Sequence, residues 1–416
     1  MKRYDKYKDS GVDWIGDIPE GWEVKKGQSL FNIIKKTMNK VELNKFFVYH
    51  YSIPSVQDTN DAYYEDGKNI DSDKFIVKGG ELLYSKLNPR KETLVITKKR
   101  NAFQVCSTEF LVIEPIKINL NFIFHLFKSH FLKEEICSTV QSATKSHQRA
   151  NPGEIHRMYY PFPPFSEQEA IADYLDKKIS QIDQLIEKKK RLIELLQEER
   201  TAIINQAVTK GLNSNVKFND SGIDWLGEIP EHWEVKKLKW VLNNLNSLRI
   251  PLNADERGRG EKIFDYYGAS GVIDKVQDYL FNGEYILVGE DGANLLTRNT
   301  PLAFIAKGKF WVNNHAHILQ QKYGSIEFFT YLLESMDFAV WVSGSAQPKL
   351  TLENLMNILI SFPGAIEEQQ AIVLYVKAES QRIDYTISKI NREIELLQEY
   401  RTALISEVVM GKVKVI

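Results

Sequence analysis

The sequence predicts a mixed α/β protein built from one unit written twice, in which each unit is a globular half followed by a long helix. Three observations support this fold class: a short opening segment recurs, a long helical closing block recurs, and short apolar runs typical of strands lie between them. We therefore expect two similar globular domains and two long helices paired as an antiparallel coiled coil about an approximate two-fold axis.

The opening segment covers residues 9–26 and returns at residues 220–237. Fourteen of its eighteen positions are identical in the two copies, and the differences are conservative apart from Gly21, which becomes His232. Chance does not produce a match of this length, so the chain carries an internal duplication.

The closing block begins EQEAI at residue 167 and EQQAI at residue 368, and each copy continues to an IELLQE segment. Residues 166–210 contain no proline or glycine, and Gly211 is a plausible helix stop. Ser166 and Glu169 have the spacing of a capping box, which predicts that the first helix starts there. About 45 helical residues give a rod of roughly 66 Å.

Apolar residues in both helices follow a 4-3 spacing that predicts a coiled-coil seam, interrupted at the same place by Arg200 and Arg401. Each helix could instead pack on its own globular half, but the two stripes match position for position, which favours pairing of the helices. The predicted seam consists of Leu175, Ile179, Ile182, Ile186, Ile193, Leu196 and Ile203 in the first helix and of Val376, Ile383, Ile387, Ile390, Ile394, Leu397 and Leu404 in the second.

The interiors of the two halves diverge more than their borders. The runs TLVIT, EFLVIEP and YILVG indicate strands, and NFIFHLFKS and EFFTYLLES indicate one helix in each half. A duplicated scaffold that keeps its frame and varies its loops is typical of two recognition modules with different ligands. The expected domains are a first recognition domain at 1–162, a central helix at 163–212, a second recognition domain at 213–363 and a C-terminal helix at 364–416.

Composition excludes several classes of protein. The chain of 416 residues is 43% hydrophobic and 26% charged, as in ordinary globular proteins. It has no run of about 18 apolar residues that would predict a membrane span, and its N-terminus lacks the apolar region of a signal peptide. Cys106 and Cys137 are the only cysteines, which suggests a reducing, cytoplasmic location and two core residues. The net charge of −1 indicates that any nucleic-acid affinity depends on clustered charge or on a partner.

A search for catalytic residues is negative. The PFPPF segment at 161–165 resembles the NPPF/Y loop of DNA amino-methyltransferases, but Phe162 replaces the residue that must hold the target amine. The GEDG segment at 289–292 is interpreted as a tight surface turn, with Glu290 and Asp291 as solvated charges. His315 and His317 lack an evident third ligand, so no metal site is predicted.

Better candidates exist for contact with nucleic acid, because Arg, Lys, Asn and Gln in loops can hold phosphates or hydrogen-bond base edges. Residues 86–100 carry six cationic side chains against a single acid, Glu92. The candidates in the first half are Lys86, Asn88, Arg90, Lys91, Lys98, Lys99, Arg100, Lys145, Gln148 and Arg149. Those in the second half are Arg249, Arg257, Arg259, Asn294, Arg298, Asn313, Gln347 and Lys349.

The order domain–helix–domain–helix resembles the specificity subunits of type I restriction-modification systems. The resemblance lies in the SG-x-DW-x-G-x-IP-x-x-W motifs at 10–22 and 221–233 and in the closing segments FPPFSEQEAI and FPGAIEEQQAI. DYYGASGVID at 265–274 and WVNNHAHIL at 311–319 also resemble that family's recognition domains. The second closing segment departs from the first, since it has no serine at the capping position.

This resemblance implies a non-catalytic subunit in which each globular half binds one half-site of an asymmetric, bipartite double-stranded DNA target. The paired helices would fix the gap between half-sites and would bind two methyltransferase subunits. Those subunits would carry S-adenosylmethionine, and motor/nuclease subunits that use ATP and Mg²⁺ would join for restriction. This chain itself would need no cofactor.

Two other classes remain open from the residues alone. A two-headed adaptor that binds proteins or glycans would share the scaffold, but it would show no salt-dependent affinity for DNA. A self-contained methyltransferase or nuclease would need a cofactor loop or a carboxylate–lysine set, and neither is evident in the sequence.

Overall fold

The computed structural model describes residues 2–140, 148–257, 261–344 and 348–415. The chain divides into two compact units, one formed by Met1–Lys189 with Asn391–Ile416 and the other by Lys190–Ile390. Each long helix therefore contributes residues to both units. Within the described residues, no helix is long and apolar enough to cross a membrane.

The first unit contains a globular half with two main sheets. Its strands are β1 (Tyr7–Asp9), β2 (Asp17–Pro19), β3 (Glu23–Lys26), β4 (Phe31–Ile34), β5 (Thr37–Met38), β6 (Phe47–Tyr51), β7 (Tyr63–Asp66), β8 (Lys74–Val77), β9 (Leu82–Ser85), β10 (Leu94–Ile96), β11 (Gln104–Ser107), β12 (Phe110–Pro115) and β13 (Tyr159–Phe162). Its helices are α1 (Lys40–Leu43), α2 (Ile53–Thr59), α3 (Leu120–Phe127), α4 (His130–Ser138), α5 (Pro152–Arg157) and the long α6 (Phe165–Lys210).

The second unit contains the corresponding half. Its strands are β14 (Phe218–Asp220), β15 (Glu228–Pro230), β16 (Trp233–Lys237), β17 (Leu242–Asn244), β18 (Phe264–Gly268), β19 (Gly271–Val276), β20 (Phe281–Gly289), β21 (Ala303–Val312), β22 (Ala316–Gln321), β23 (Val342–Ser343), β24 (Lys349–Leu350) and β25 (Leu359–Pro363). Its helices are α7 (Leu238–Val241), α8 (Ala254–Arg257), α9 (Asn294–Thr297), α10 (Ile326–Ser335), α11 (Leu352–Asn357) and the long α12 (Ile366–Val409).

The two halves arrange their strands in a similar order, but the sheet is continuous in the second half and divided in the first. In the second half, β17-β22-β20-β21-β18-β19 form a single sheet in which only the β18–β21 pair is parallel. In the first half the strands form two sheets, β10-β9-β12-β4 and β5-β8-β11-β6-β7, with β6 and β11 parallel. The break falls at Gly79 and Gly80, which both have left-handed backbone, at φ of 100° and 93°. Two such residues in succession end one strand before the next begins.

In each half, a strand of the opening segment pairs with the last strand before the long helix, and we call each of these strand pairs a neck. In the first unit β3 pairs antiparallel with β13, and the amide of Gly27 donates to the carbonyl of Met158 at 2.9 Å. In the second unit β16 pairs antiparallel with β25, and the amide of Leu238 donates to the carbonyl of Ile358 at 2.9 Å. The largest differences between the copies lie between the two strands of a neck.

Each long helix starts against its own opening segment. The indole Nε1 of Trp22 donates to the carboxylate of Glu167 at 3.0 Å, and that of Trp233 donates to Glu368 at 3.0 Å. The next residue of each helix, Gln168 or Gln369, donates its side-chain amide to a proline carbonyl of the preceding segment at 2.8 Å. These contacts explain why the tryptophan motif and the closing block occur together in both copies, since each binds the other.

The expected capping box at Ser166 was wrong. Helix α6 begins one residue earlier, at Phe165, and the carbonyl of Pro164 accepts from the amides of Glu167 and Gln168 at 2.9 and 3.0 Å. Ser166 therefore lies inside the first turn. The predicted stop is confirmed, because α6 ends at Lys210 and Gly211 follows with a φ of 75°.

The far end of each helix is held by the opening segment of the unit in which that end lies. In the first unit the Lys412 ammonium donates to the carbonyl of Asp17 at 2.8 Å. In the second unit Lys210 donates to the carbonyl of Glu228, the residue equivalent to Asp17. Each opening segment thus contacts the start of one long helix and the end of the other.

The long helices run antiparallel within each unit. In the first unit Asp183 pairs with Arg401, while Lys189, further along α6, pairs with the earlier residue Glu393 at 2.5 Å. In the second unit Arg200 pairs with Asp384. The arginines that interrupt the apolar stripe therefore meet equivalent aspartates on the opposite helix.

The predicted seam residues are all buried or half-buried, whereas Leu185, Leu192 and Leu396, which lie off the stripe, are exposed. The ends of the stripe also contact a globular half. In the second unit Ala207 and Val208 of α6 and Val376 of α12 belong to the same hydrophobic cluster as Phe328 of α10. Within each unit the helices therefore pair with each other, and in the second unit they also pack on the globular half.

Candidate nucleic-acid interface

Three loops meet at one end of the first half and are joined by backbone hydrogen bonds. The amide of Lys86 donates to the carbonyl of Glu109 at 2.8 Å, and the amide of Ala150 donates to the carbonyl of Lys86 at 2.9 Å. The amide of Asn88 donates to the carbonyl of Gln148 at 2.8 Å. We call this set, residues 86–88, 109 and 148–150, the three-loop frame of the first half.

The second half contains the same three-loop frame, made by residues 290–292, 315 and 348–350. The amide of Glu290 donates to His315 at 2.9 Å, that of Leu350 to Glu290 at 2.8 Å and that of Gly292 to Pro348 at 3.0 Å, in each case to the carbonyl. Asn88 and Gly292 occupy the same place and are both left-handed, with φ of 50° and 101°. The backbone construction is therefore common to both halves.

The side chains on the two frames differ in charge. Lys86 of the first frame stands where Glu290 stands in the second, and Glu109 stands where His315 stands. Of the three positions compared, only that of Arg149 keeps the sign of its charge, since Lys349 occupies it in the second frame. One backbone platform thus presents two different patterns of hydrogen-bond donors and acceptors.

On the first frame, Arg149 and Glu109 form a two-point ion pair. The guanidinium Nε and Nη2 donate to the two carboxylate oxygens at 3.0 and 2.9 Å. The Arg149 side chain is nevertheless 57% exposed. Lys86 is half-buried, and its burial lowers its pKa.

Two cationic candidates of the first half are held by the carboxylate of Asp61. Arg100 and Lys98 both donate to it at 2.6 Å, and Arg100 also donates to the Tyr51 hydroxyl at 2.7 Å. Burial alone would raise the pKa of Asp61, but these hydrogen bonds outweigh it and lower the pKa to about 2. The Arg100 side chain is only 15% exposed, and its guanidinium lies over the ring of Tyr49.

Arg90, Lys91 and Lys99 are exposed and form no ion pair with any described residue. Arg90 and Lys91 lie in the 3₁₀ turn Pro89–Lys91, which follows directly from the first frame. Gln148, a frame residue, is half-exposed. The frame and the 3₁₀ turn that follows it therefore bring Lys86, Arg149, Arg90 and Lys91 into one connected region of the first half.

In the second half, the interpretation of Glu290 as a solvated loop charge was wrong. The residue is only 8% exposed. Arg249 donates to its carboxylate at 2.7 Å, and Lys349 lies at 3.2 Å. These hydrogen bonds lower the pKa of Glu290 against the opposing effect of burial. Arg249 also donates to backbone carbonyls, among them that of Ala316 at 2.7 Å, so this arginine holds the frame in place.

The two histidines have structural partners. His317 is fully buried, and burial lowers its pKa. Its Nε2 lies 2.8 Å from the Leu350 carbonyl, and the side-chain amide of Asn246 donates to its Nδ1 at 2.8 Å. His315 is half exposed and contacts the carboxylate of Asp291 at 2.9 Å. Among the described residues, no three His, Cys, Asp or Glu side chains are arranged to hold a metal ion.

Other candidates of the second half stabilise loops. Asn294 exchanges two hydrogen bonds with the backbone of Thr300 at 2.9 Å, and Asn313 accepts from the amide of His315 at 2.8 Å. Arg298, with left-handed backbone, donates to carbonyls at the end of α10. Arg257 lies over the ring of Tyr266. Lys145, Arg259 and Gln347 lie outside the described residues.

Sequence reasoning did not single out the acids that position these cations, namely Asp61 and Glu109. Asp61 lies far from its partners in sequence, and Glu109 belongs to a turn between two strands. Neither has a spacing signal that would identify it, because the contacts are set by strand pairing.

A comparison with protein families matches most of the chain. The model of the type I restriction modification DNA specificity domain matches residues 19–195 and again residues 230–396. Each match includes most of one globular half and the first part of the helix that follows it.

Known proteins and structures agree with this match. The specificity subunit of type I restriction enzyme MjaVIII from Methanocaldococcus jannaschii is 27% identical over 433 residues, covering 96% of this chain and 94% of that protein. That of MjaIX from the same organism is 21% identical, covering 96% and 95%. The HsdS subunit from Thermoanaerobacter tengcongensis has a similar fold, with a TM-score of 0.58 at 15% identity over 95% of this chain and 98% of that one. A chain from a study of complex assembly in a type I R-M system reaches 0.68 at 16% identity, covering 95% and 99%.

Proposed function

The chain belongs to the family of type I restriction-modification DNA specificity subunits, and we propose that its two halves bind the two different half-sites of one asymmetric DNA target. The observation that carries this proposal is the three-loop frame. It has the same backbone hydrogen bonds in both halves but different side chains. A common frame gives both halves the same way of approaching DNA, and different side chains give them different base preferences.

In this proposal, residues 1–162 and 213–363 are the recognition domains, and their cations divide into two roles. Exposed residues without an acidic partner, such as Arg90, Lys91 and Lys99, bind phosphates and supply affinity. Residues on the three-loop frames face base edges. Cations held by acids that are buried or partly buried, such as Arg100 and Arg249, position loops.

The subunit itself is proposed to be non-catalytic and to act in the cytoplasm, where DNA is available. S-adenosylmethionine, ATP and Mg²⁺ would be bound by its methyltransferase and motor/nuclease partners. The paired helices, residues 163–212 and 364–416, would set the gap between half-sites, because a continuous helix has a fixed rise per residue.

Two equivalent grooves support the binding of two identical methyltransferase subunits. In the first unit, Phe131 and the α12 residues Thr402 and Ala403 line a mainly apolar groove of about 570 Å³. In the second unit, Trp341 and the α6 residue Ala202 line a groove of about 710 Å³. Ala202 and Ala403 are equivalent in the repeat, so the same partner segment could bind twice.

Blocking one groove at a time tests this docking proposal. Ala403→Arg and Ala202→Arg place a charged side chain on an exposed helix position without disturbing a core. We expect each variant to bind one methyltransferase subunit instead of two, and the double variant to bind none, as measured by native mass spectrometry. Gln184→Arg, exposed on α6 outside the groove, is the control and should retain both. Two bound subunits in the double variant would refute the docking site.

The function itself is tested by co-expressing the chain with its methyltransferase partner and mapping methylated adenines across the host genome. The proposal predicts one asymmetric motif made of two half-sites with a constant gap. Purified complex should also bind DNA with an affinity that falls as salt rises. The absence of any methylated motif, together with salt-independent behaviour, would favour the two-headed adaptor instead.

A further inference from the structure

Arg149 has the geometry of a residue that reads a base. A guanidinium carries five N–H donors, and Glu109 occupies the Nε–H and one Nη2–H through its two oxygens. The end of the fork, formed by Nη1 and the second Nη2 hydrogen, has no partner among the described residues. Because the side chain is 57% exposed, this pair of donors is accessible from outside the protein.

The ion pair fixes the plane of the guanidinium. Two parallel hydrogen bonds to one carboxylate hold an arginine far more rigidly than a single bond does. Glu109 is itself anchored, since its carbonyl accepts from Lys86 in the three-loop frame. A fixed, planar pair of donors matches two adjacent acceptors, and the major-groove edge of guanine offers N7 and O6 in that arrangement.

A guanine edge and a phosphate both offer paired acceptors, but only the phosphate is charged, and this difference distinguishes them as ligands. Glu109 neutralises Arg149, so the pair as a whole attracts a phosphate only weakly, whereas its directional donors remain available. Cations without an acidic partner in the described part of the chain, Arg90, Lys91 and Lys99, are better suited to phosphates. Building on the proposed function, we infer that Arg149, positioned by Glu109, is a specificity-determining residue that reads a guanine in the half-site of the first recognition domain.

The second half provides an internal comparison. Lys349 occupies the position of Arg149 on the second frame and lies 3.2 Å from the carboxylate of Glu290. A lysine offers a point charge instead of a planar fork. The two halves therefore differ at this position in the type of contact they can make.

The inference is tested by mapping methylated adenines with the complete complex carrying Arg149→Ala, Arg149→Lys or the matched Lys349→Ala. Arg149→Ala should relax one guanine of one half-site, reducing discrimination at that base roughly 5- to 150-fold. Arg149→Lys keeps the charge but loses the planar fork, so it should restore only part of the discrimination lost in Arg149→Ala. Lys349→Ala should leave that half-site unchanged. Thermal unfolding of the variants, expected to match the wild-type chain, excludes misfolding as the cause.

Other outcomes are equally informative. A uniform loss of methylation in Arg149→Ala, with no change of motif, would identify a phosphate contact and overturn base reading. An unchanged motif at unchanged efficiency would overturn any contact. Both results presuppose that the wild-type complex yields a bipartite motif, whereas absence of a motif in the wild type would instead refute the proposed function.

A second variant tests the neutralisation argument. Glu109→Gln leaves Arg149 with an unpaired charge, so non-specific DNA binding should strengthen and its salt dependence should steepen by about one unit of slope. An unchanged slope would show that Glu109 does not neutralise the arginine.

Discussion

At the scale of single residues, each long helix begins with a carboxylate that accepts a hydrogen bond from a distant tryptophan. Trp22 is 1% exposed, and its indole reaches Glu167 at 3.0 Å. The Tyr4 hydroxyl donates to the other oxygen of this carboxylate, so loss of the indole bond would leave one buried oxygen of Glu167 without a donor, which costs free energy. This contact joins the opening segment to the helix.

Trp22→Phe should therefore destabilise the first unit by about 1–3 kcal/mol. Each kcal/mol lowers the melting temperature by about 2–4 °C for a unit of about 200 residues. Differential scanning calorimetry measures the change. Trp240→Phe, at a side chain that is 62% exposed, is the matched control and should shift the transition very little. Equal shifts in the two variants would contradict a specific role for the Trp22–Glu167 bond.

Residue roles were the least predictable part of the sequence. The cationic character of residues 86–100 was visible, but the pairing of Lys98 and Arg100 with Asp61 was not, since it depends on strands brought together by the fold. Glu290 was assigned to a solvated turn because a GEDG segment is polar, whereas three-dimensional packing buries it beside Arg249. The local sequence shows that a residue is polar, but whether that residue is buried depends on tertiary contacts that the local sequence does not show.

At the scale of elements, the repeat predicted the long helices well. The apolar stripe located α6 and α12, since periodicity over many turns is a strong signal. The start of α6 was missed by one residue, because the carbonyl of Pro164 already accepts the first backbone hydrogen bonds of the helix and Ser166 lies inside its first turn. The break of the first sheet at Gly79–Gly80 was also not predicted, because glycine pairs permit a break without requiring one.

The proposed spacing role of these helices can be tested by lengthening both together. Inserting one heptad after Lys190 in α6 and one after Asn391 in α12 keeps the apolar seam in phase. Seven residues lengthen each helix by about 10.5 Å, which corresponds to about three base pairs at 3.4 Å each. The methylated motif should gain about three base pairs in its gap, with both half-sites unchanged.

A heptad inserted in α6 alone serves as the control for the helix experiment. The added heptad of α6 has no matching residues on α12, so this variant should have lower stability instead of a clean change of gap. Altered half-sites in the double insertion, or a gap of the original length, would count against the spacing role.

At the scale of the whole molecule, the parts that the two units share stabilise the fold, and in the proposed function the parts that differ select the DNA sequence. The neck strands, the tryptophan–glutamate contacts and the helix seam are common to both units, and they enclose interiors that share a strand plan but differ in side chains. The helices also differ at several equivalent positions, and one of these contacts the interiors. Asp176 of α6 contacts His125 of the first interior at 2.8 Å, whereas its equivalent on α12, Lys377, contacts Glu327 of the second at 2.6 Å. Each long helix therefore carries a side chain that matches its own interior.

The difference between Asp176 and Lys377 allows a test in which one interior is duplicated. Replacing residues 238–358 with a second copy of residues 27–158 joins the chain at the neck, where both halves have the same closing hydrogen bond. Both frames would then carry the side chains of the first half. The proposed function predicts that the methylated motif becomes an inverted repeat of the first half-site with the gap unchanged.

The duplicated chain should fold less stably than the original, for a reason that can be reversed. The second copy of His125, which is 1% exposed in its native place, would face Lys377 in place of a carboxylate. Losing this partner should cost about 1–3 kcal/mol, and adding Lys377→Asp should restore most of it while leaving the motif the same. Calorimetry of the duplicated chain with and without Lys377→Asp measures the cost, and methylation mapping measures the motif. If Lys377→Asp changed the motif, the helices would take part in DNA selection, and the division between holding and selecting parts would be wrong.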